Sequence, residues 1–323
     1  MGCHTGEIRM MDRSFIAVLL LAAILSVAQS SKPEADSWGE PTRKKAEFYA
    51  ASDVPESHIL LTKQWYEIAS KAWGNYGPLE FWIVGTDQEA AQQLDERYCE
   101  VRKKRDAGVD LDGCRNRSHN FERYAREGNA GLNTQRNEHA DWSGFIVTMA
   151  SKNPGPQEED YKSVTLHEYF HVYQHAHIFS KSREERENRT QKNPWWIEGG
   201  AEYMAQLLYS RQTGVREGYL IEKMKRKLRA IDDLEDGESI RNIAYGRRGH
   251  IAYSLGAWFV AFVIDKSSEE AFRVGFFKDL NKLGFEGSFE KNFEHTSQEL
   301  LREFHEEFLK KSESEMLQIL PPR

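Results

Sequence analysis

The chain has 323 residues, of which 39% are hydrophobic and 29% are charged, a balance typical of a globular protein with a sizeable core. Lysine and arginine number 44 and aspartate and glutamate number 51, which gives a formal net charge of −7. Because the positive charges form no long basic block, the composition argues against nucleic acid as the main partner.

The beginning of the chain has the pattern of a secretory signal peptide. Arg9 and Arg13 precede the apolar run SFIAVLLLAAILSVA over residues 14–28, and Ser26 and Ala28 supply the small residues of a cleavage site. We expect cleavage after Ala28, a secreted or periplasmic protein, and no stable membrane insertion afterwards. The alternative is a protein tethered to the membrane through this run, although a span usually needs about 20 residues.

Export changes what the cysteines indicate. Cys3 would be removed with the signal peptide, which leaves Cys99 and Cys114 as an even pair. In an oxidising compartment we expect these two to form one disulfide. The alternative is two free thiols that never meet.

After the signal peptide, a lead-in and a small α/β part are expected. Residues 29–55 are polar and contain three prolines, which predicts an extended lead-in. Helical spacing and short apolar runs then alternate, which predicts the α/β part over 56–155. Its expected elements are a helix at 58–77, a strand at 79–85, a helix at 86–103 and a strand at 144–151. Residues 105–142 show no clear period, and a loop of this length is either functional or mobile.

The remainder of the chain, residues 156–323, is expected to be predominantly helical. One helix should begin after the acidic residues 158–160 and continue through His171. A charged connector is expected at 181–194. Further helices are expected at 197–212, 217–234, 248–265, 269–283 and 296–311. The predicted fold class is α+β, with a mixed α/β amino-terminal part and a helical carboxyl-terminal part.

The segment TLHEYFHVYQHAH at 165–177 contains four histidines, two of them with metal-ligand spacing. On a helix, His167 and His171 project from one face about 6 Å apart, where one zinc ion can bridge both imidazoles. Glu168 lies beside them and is placed to take a proton from the attacking water. This short pattern also occurs by chance in helices. A catalytic zinc requires a third protein ligand, which must be found elsewhere.

The later histidines of this segment do not supply that ligand. His177 lies six residues past His171, about 240° around the helix axis and about 9 Å along it, so it points away. His175 keeps the same face but is two turns from His167 and cannot reach the same ion. A helix break near Gln174 would be needed to bring His177 back.

The segment PWWIEGGAEYMAQ at 194–206 offers a better third ligand. Glu198 stands near the start of an apolar helix, and Glu202 follows one turn later on the same face. Together with HExxH, the sequence WIEGGAEY resembles the gluzincins, the clan of zinc peptidases that contains thermolysin and the M1 aminopeptidases. In those families a glutamate in a W-x-x-E-G-x-A context is the third zinc ligand. The resemblance covers about residues 155–265.

The resemblance implies an exported zinc-dependent peptidase that acts on peptide or protein substrates. It implies one zinc ion per chain, held by His167, His171 and Glu198, on two helices in the cleft between the α/β and helical parts. Glu168 would take the proton of the attacking water and pass it to the leaving amine. Glu202 would be the outer carboxylate that accepts the free N–H of a ligand histidine.

Two further features of the family concern the substrate. In M1-like enzymes a tyrosine on a later helix donates its hydroxyl to the developing oxyanion. Tyr253 is the best match, with Tyr245 and His250 as rivals. M1 aminopeptidases also carry a G-x-M-E-N stretch that helps to bind the free amine, and GFIVTMAS at 144–151 lacks it, which leaves aminopeptidase specificity open. This strand is still expected to line the cleft and to pair with an extended peptide.

Two other functions remain compatible with the sequence. The first is a zinc hydrolase of non-peptide amide bonds, for example in cell-wall or glycan material. The second is a non-catalytic binding module on the same scaffold, against which the intact Glu168 argues, because a binding protein does not need a base beside the metal.

Overall fold

The computed structural model describes residues 38–137, 140–152 and 161–322. The predicted signal peptide at 1–28 and the first part of the predicted lead-in lie outside these ranges. Within them, no helix combines the length and the apolar composition that a membrane crossing requires.

Four strands form one mixed sheet in the amino-terminal part. They are β1 (Glu47–Ala50), β2 (Leu79–Val84), β3 (Ala130–Gln135) and β4 (Gly144–Ala150). Their order in the sheet is β1-β2-β4-β3, with β1, β2 and β4 parallel and β3 antiparallel to β4. Every residue of the two central strands is buried, which agrees with their largely apolar sequences. The strands predicted at 79–85 and 144–151 are therefore confirmed as β2 and β4.

The sheet separates two hydrophobic clusters. Phe81 and Val147 belong to the larger cluster, which continues into the helical part, whereas Trp82 and Ile146 belong to the smaller one. This alternation follows from the two-residue period of a strand. Residues of α1 (Glu56–Trp73) join the larger cluster. The helices that contribute to the smaller cluster are α2 (Gln88–Arg105), α3 (Leu111–Arg115) and α4 (Phe121–Glu127).

The prediction of a loop over residues 105–142 is wrong, because α3, α4 and β3 all lie within this range. Each of these elements has seven residues or fewer. Helices as short as α3 and α4 do not contain enough turns for a helical period to appear in the sequence.

The predicted disulfide is confirmed. The sulfur atoms of Cys99 and Cys114 are bonded, and the Cα atoms of the two residues are 5.7 Å apart. The bond ties α3 to the carboxyl-terminal half of α2 inside the smaller hydrophobic cluster.

The carboxyl-terminal part is helical, as predicted. Its helices are α5 (Tyr161–Ala176), α6 (Arg183–Thr190), α7 (Pro194–Ser210), α8 (Tyr219–Lys227), α9 (Gly249–Lys266), α10 (Phe277–Phe293), α11 (Ser297–Glu306) and α12 (Glu313–Leu317). Short 3-10 turns follow α8 and α11, and a π-helical turn at Ala271–Phe276 precedes α10.

The prediction of a connector without regular structure at 181–194 is also wrong, because this range contains α6. The sequence of this helix is REERENRT, which has no apolar face and therefore no hydrophobic period to detect. Its start is stabilised by Ser182, whose side chain accepts a hydrogen bond from the backbone N–H of Glu185.

Helices α7 and α9 pack so closely that their backbones touch. A Cβ built on Gly199 would lie 2.7 Å from the Cα of Gly256, so neither position has room for a side chain. The mixed sheet with its helices, the helical second part, and a His/His/Glu cluster on α5 and α7 together confirm the predicted fold class.

Candidate metal centre and active site

Helix α5 carries the first two candidate ligands in a buried position. It packs against α1, α7, β3 and β4, and 14 of its 16 residues are buried. His167, Glu168 and His171 are 7%, 6% and 7% exposed. Their polar side chains therefore require partners within the protein or a bound ion.

Helix α7 supplies the third candidate ligand from the opposite side. Pro194 occupies the first turn of α7, where a missing N–H costs nothing. Glu198 Oε2 lies 3.3 Å from His167 Nε2 and 3.0 Å from His171 Nε2, and the two nitrogens are 3.1 Å apart. Zinc bonds of about 2.0–2.1 Å in a tetrahedron place ligand atoms about 3.3 Å apart. The three atoms therefore have the spacing of zinc ligands.

Hydrogen bonds behind the two imidazoles fix which nitrogen faces the centre. His167 Nδ1 lies 3.2 Å from Glu202 Oε2, and His171 Nδ1 lies 2.8 Å from Gln174 Oε1. Gln174 Nε2 donates to a backbone carbonyl, which leaves its Oε1 as an acceptor. Each Nδ1 therefore donates, which leaves each Nε2 to present its lone pair when a metal ion is bound.

The electrostatics of the centre favour a cation. Burial alone would lower the pKa of His167, but its hydrogen bonds with Glu198 and Glu202 raise that pKa well above its usual value. Burial would raise the pKa of Glu198, but the neighbouring His171 and His167 lower it. Two imidazole lone pairs and a carboxylate oxygen converge where positive charge is stabilised, so these residues fit a divalent zinc ion.

Glu168 is placed for proton transfer. Its Oε2 atom is buried and has no hydrogen-bond partner among the described residues. Burial raises the pKa of its carboxyl group, and His167 and His171 oppose that shift. A carboxylate that is neither a predicted ligand nor engaged at Oε2 is free to accept a proton.

The structure brings two of the three predicted oxyanion donors to the centre. The ring of Tyr253 is parallel to that of His167, with the centroids 6.5 Å apart. The hydroxyl of Tyr245 donates to Glu198 Oε1 over 2.9 Å. Both tyrosines line the cleft, and burial raises the pKa of both hydroxyls. His250 instead places its Nε2 atom 3.0 Å from Asp233 Oδ2, and it does not line the cleft.

The centre opens into a cleft of about 980 Å³. Asn129 and the first five residues of β3 form one wall, and residues from both ends of α6 line another. The prediction that β4 pairs with a peptide is wrong, because β4 is hydrogen-bonded to β2 on one side and to β3 on the other. β3 is the edge strand on the side of β4, and it lines the cleft. Its sequence, AGLNTQ, has too little apolar alternation to be recognised as a strand.

His177 does not join the metal centre. Helix α5 continues to Ala176 without a break, and His177 Nδ1 contacts the carbonyl oxygen of Tyr173 over 2.7 Å. His175 lines the cleft, but the metal cluster does not include it.

A second group of possible ligands lies on the other face of the sheet. It consists of Cys99, Cys114 and His119, whose Nε2 is 3.7 Å from Cys114 Sγ. Asp95 holds the other ring nitrogen of His119. Because the two sulfur atoms are joined in the disulfide, neither offers a thiolate to a metal.

The fold and the His/His/Glu centre define a zincin-type metallopeptidase, a hydrolase, which confirms the resemblance to the gluzincins. More specifically, residues 160–250 match the model of the family described as M61 glycyl aminopeptidase. The match begins just before α5, includes the whole of α7 and α8, and covers under a third of the chain. No curated protein and no solved structure matches the chain significantly.

Proposed function

We propose that the protein is an exported peptidase that binds one zinc ion per chain through His167, His171 and Glu198. The observation that carries this proposal is the convergence of two imidazole Nε2 atoms and one carboxylate oxygen within 3.3 Å of one another. Glu168, whose Oε2 has no hydrogen-bond partner among the described residues, lines the same cleft as these ligands. The same chemistry follows from the family match over residues 160–250.

When bound, zinc would supply a Lewis acid that polarises the scissile carbonyl and lowers the pKa of the attacking water. Glu168 takes the proton of that water and transfers it to the departing amine. Burial raises the pKa of its carboxyl group, which favours the uptake of that proton. Glu202 holds His167 in the orientation that keeps the Nε2 lone pair directed at the centre.

The two tyrosines have different roles in this proposal. Tyr253 donates its hydroxyl to the oxyanion that develops from the scissile carbonyl. Tyr245 already donates to Glu198 Oε1, whereas Oε2 is the oxygen that meets the two histidines. It therefore fixes the orientation of that carboxylate and leaves Oε2 with the two imidazoles.

The substrate is an extended peptide that pairs with the outer edge of β3. Support comes from the position of β3 at the sheet edge and from the cleft, which residues 129–134 line. Main-chain hydrogen bonds to an edge strand provide affinity without a strong demand on side chains. Among the described residues of β3, none is a carboxylate that would anchor a free amine.

Export is supported by the charged and apolar pattern before residue 29 and by the buried Cys99–Cys114 bond. Disulfides form and persist in oxidising compartments. A peptidase that encounters peptides outside the cytoplasm is consistent with both features.

The test is hydrolysis by the zinc-loaded full chain. The family description makes peptides with an amino-terminal glycine the first substrates to assay, in matched free and acetylated forms, with products identified by mass spectrometry. Glu168→Gln is the control, because it keeps the shape and all three ligands. We expect cleavage by the unsubstituted protein and at least a 100-fold loss in Glu168→Gln. Equal cleavage by both proteins would contradict the proposal.

A further inference from the structure

We infer that Lys227 is a positioning residue of the metal centre. It holds the carboxylate of Glu202, which in turn orients the imidazole of His167. The inference rests on the zinc assignment proposed above. It extends the centre to α8, a helix that contributes no ligand to the metal.

The carboxylate of Glu202 is divided between two sets of partners. Its Oε2 faces His167 Nδ1 at 3.2 Å. Its Oε1 accepts a hydrogen bond from Gln206 Nε2 over 3.1 Å and lies 2.6 Å from Lys227 Nζ. Because Lys227 and Gln206 both hold Oε1, the other oxygen is directed at the histidine.

The ion pair is buried. The side chain of Lys227 is 9% exposed and that of Glu202 is 3% exposed. Lysine and glutamate are seldom buried unless they are paired, because each loses its hydration. A surface ion pair would be weak and mobile, but a buried pair keeps one arrangement.

Two contacts fix α8 in place, and with it the position of Lys227. Trp258 Nε1 in α9 donates to the carbonyl oxygen of Met224 over 2.9 Å. The hydroxyl of Tyr219 donates to Gln206 Oε1 over 2.8 Å. Helix α8 is thus attached to both α9 and α7, so Lys227 reaches Glu202 from a defined direction.

This arrangement predicts that Lys227 affects zinc binding without touching zinc. If Lys227 were removed, the Glu202 carboxylate would lose its closest partner and could rotate away from His167. Changes to residues that contact a ligand usually cost 10–100-fold in metal affinity. Lys227 acts one contact further out, so we expect a loss of about tenfold.

Lys223 provides a matched control. It lies one turn earlier on the same helix, it is 6% exposed, and its Nζ lies over the Tyr219 ring at 5.8 Å. The experiment uses the full-length mature protein and measures its affinity for Zn²⁺ alone by competition with a chelator. We expect Lys227→Met to weaken binding about tenfold and Lys223→Met to change it less than twofold. Equal effects of the two substitutions would overturn the inference, because they would show only general destabilisation.

A double variant shows whether Lys227 acts through Glu202. In Glu202→Gln combined with Lys227→Met, both charges are removed, so this variant leaves no uncompensated buried charge even if Lys227→Met alone fails to fold. Its zinc affinity should equal that of Glu202→Gln alone. A further loss in the double variant would overturn the inference. Failure of the unsubstituted protein to bind Zn²⁺ would instead refute the proposed function.

Discussion

Gly199 in α7 and Gly256 in α9 touch backbone to backbone, and this contact helps to determine where Glu198, the proposed third ligand, lies. A Cβ built on Gly199 would be 2.7 Å from Gly256 Cα, and one built on Gly256 would be 3.2 Å from Gly199 Cα. Glu198 directly precedes the first glycine, and Tyr253 lies about one turn before the second. The close approach of the two helices therefore brings both side chains to His167.

A methyl group at this contact should separate the two helices. We expect Gly256→Ala to lower the free energy of unfolding by about 1–3 kcal/mol, because overpacking forces the backbone to shift. It should also weaken zinc retention by moving Glu198. Gly249→Ala is the control, since it lies in the same helix and the nearest neighbour of its new Cβ would be the carbonyl oxygen of Ala244, 3.8 Å away. Denaturant unfolding measures the stability, and chelator competition measures the zinc retention. Identical results for the two variants would show that the contact between Gly199 and Gly256 has neither effect.

The two tyrosines should fail in different ways. Tyr253→Phe removes the proposed oxyanion donor and should lower kcat by about 10²–10³-fold with zinc retained. Tyr245→Phe removes a hydrogen bond to Glu198 and should mainly weaken zinc retention. Measuring kcat and zinc affinity in both variants separates the roles. If Tyr245→Phe loses turnover and Tyr253→Phe loses only zinc affinity, the assignments must be exchanged.

Export predicts a mature chain that starts near Gln29. Amino-terminal sequencing of natively expressed protein tests this directly, because cleavage after Ala28 leaves a single new terminus. A protein that keeps residues 14–28 and remains in the membrane fraction would instead be a tethered enzyme.

The disulfide should contribute measurably to stability. Cys99 and Cys114 are 15 residues apart, and closing a loop of that size removes unfolded-chain entropy worth about 3 kcal/mol. We expect the double substitution Cys99→Ala and Cys114→Ala to lower the free energy of unfolding by a similar amount while zinc stays bound. Mass spectrometry without reduction should find the two cysteines linked in the unsubstituted protein. Free alkylation of both thiols would refute the bond.

The parts of the site that the sequence predicted are those in which chemistry follows local spacing. His167 and His171 are one helical turn apart, and Glu198 and Glu202 repeat that spacing on a second helix, so each pair could be placed on one face without knowledge of the fold. Short apolar runs similarly predicted both central strands, and helical spacing of apolar residues predicted the helical second part.

The parts that the sequence did not predict depend on contacts between distant segments. β3 is an edge strand with exposed and partly exposed residues, so no apolar pattern distinguishes it from a loop. Helix α6 is polar throughout and is stabilised by its cap and by packing. Lys227 reaches Glu202 from 25 residues further along the chain, and only the folded structure shows that its charge is buried.

Zinc content is the most direct test of the central claim, that His167, His171 and Glu198 hold the metal. It should be measured on the purified protein and on its Glu198→Ala, Glu202→Ala and His177→Ala variants after equal dialysis. We expect one zinc ion per chain in the unsubstituted protein and in His177→Ala, and none in Glu198→Ala. Glu202→Ala should bind zinc about 10–100-fold more weakly. Zinc retained by Glu198→Ala but lost from His177→Ala would contradict the account.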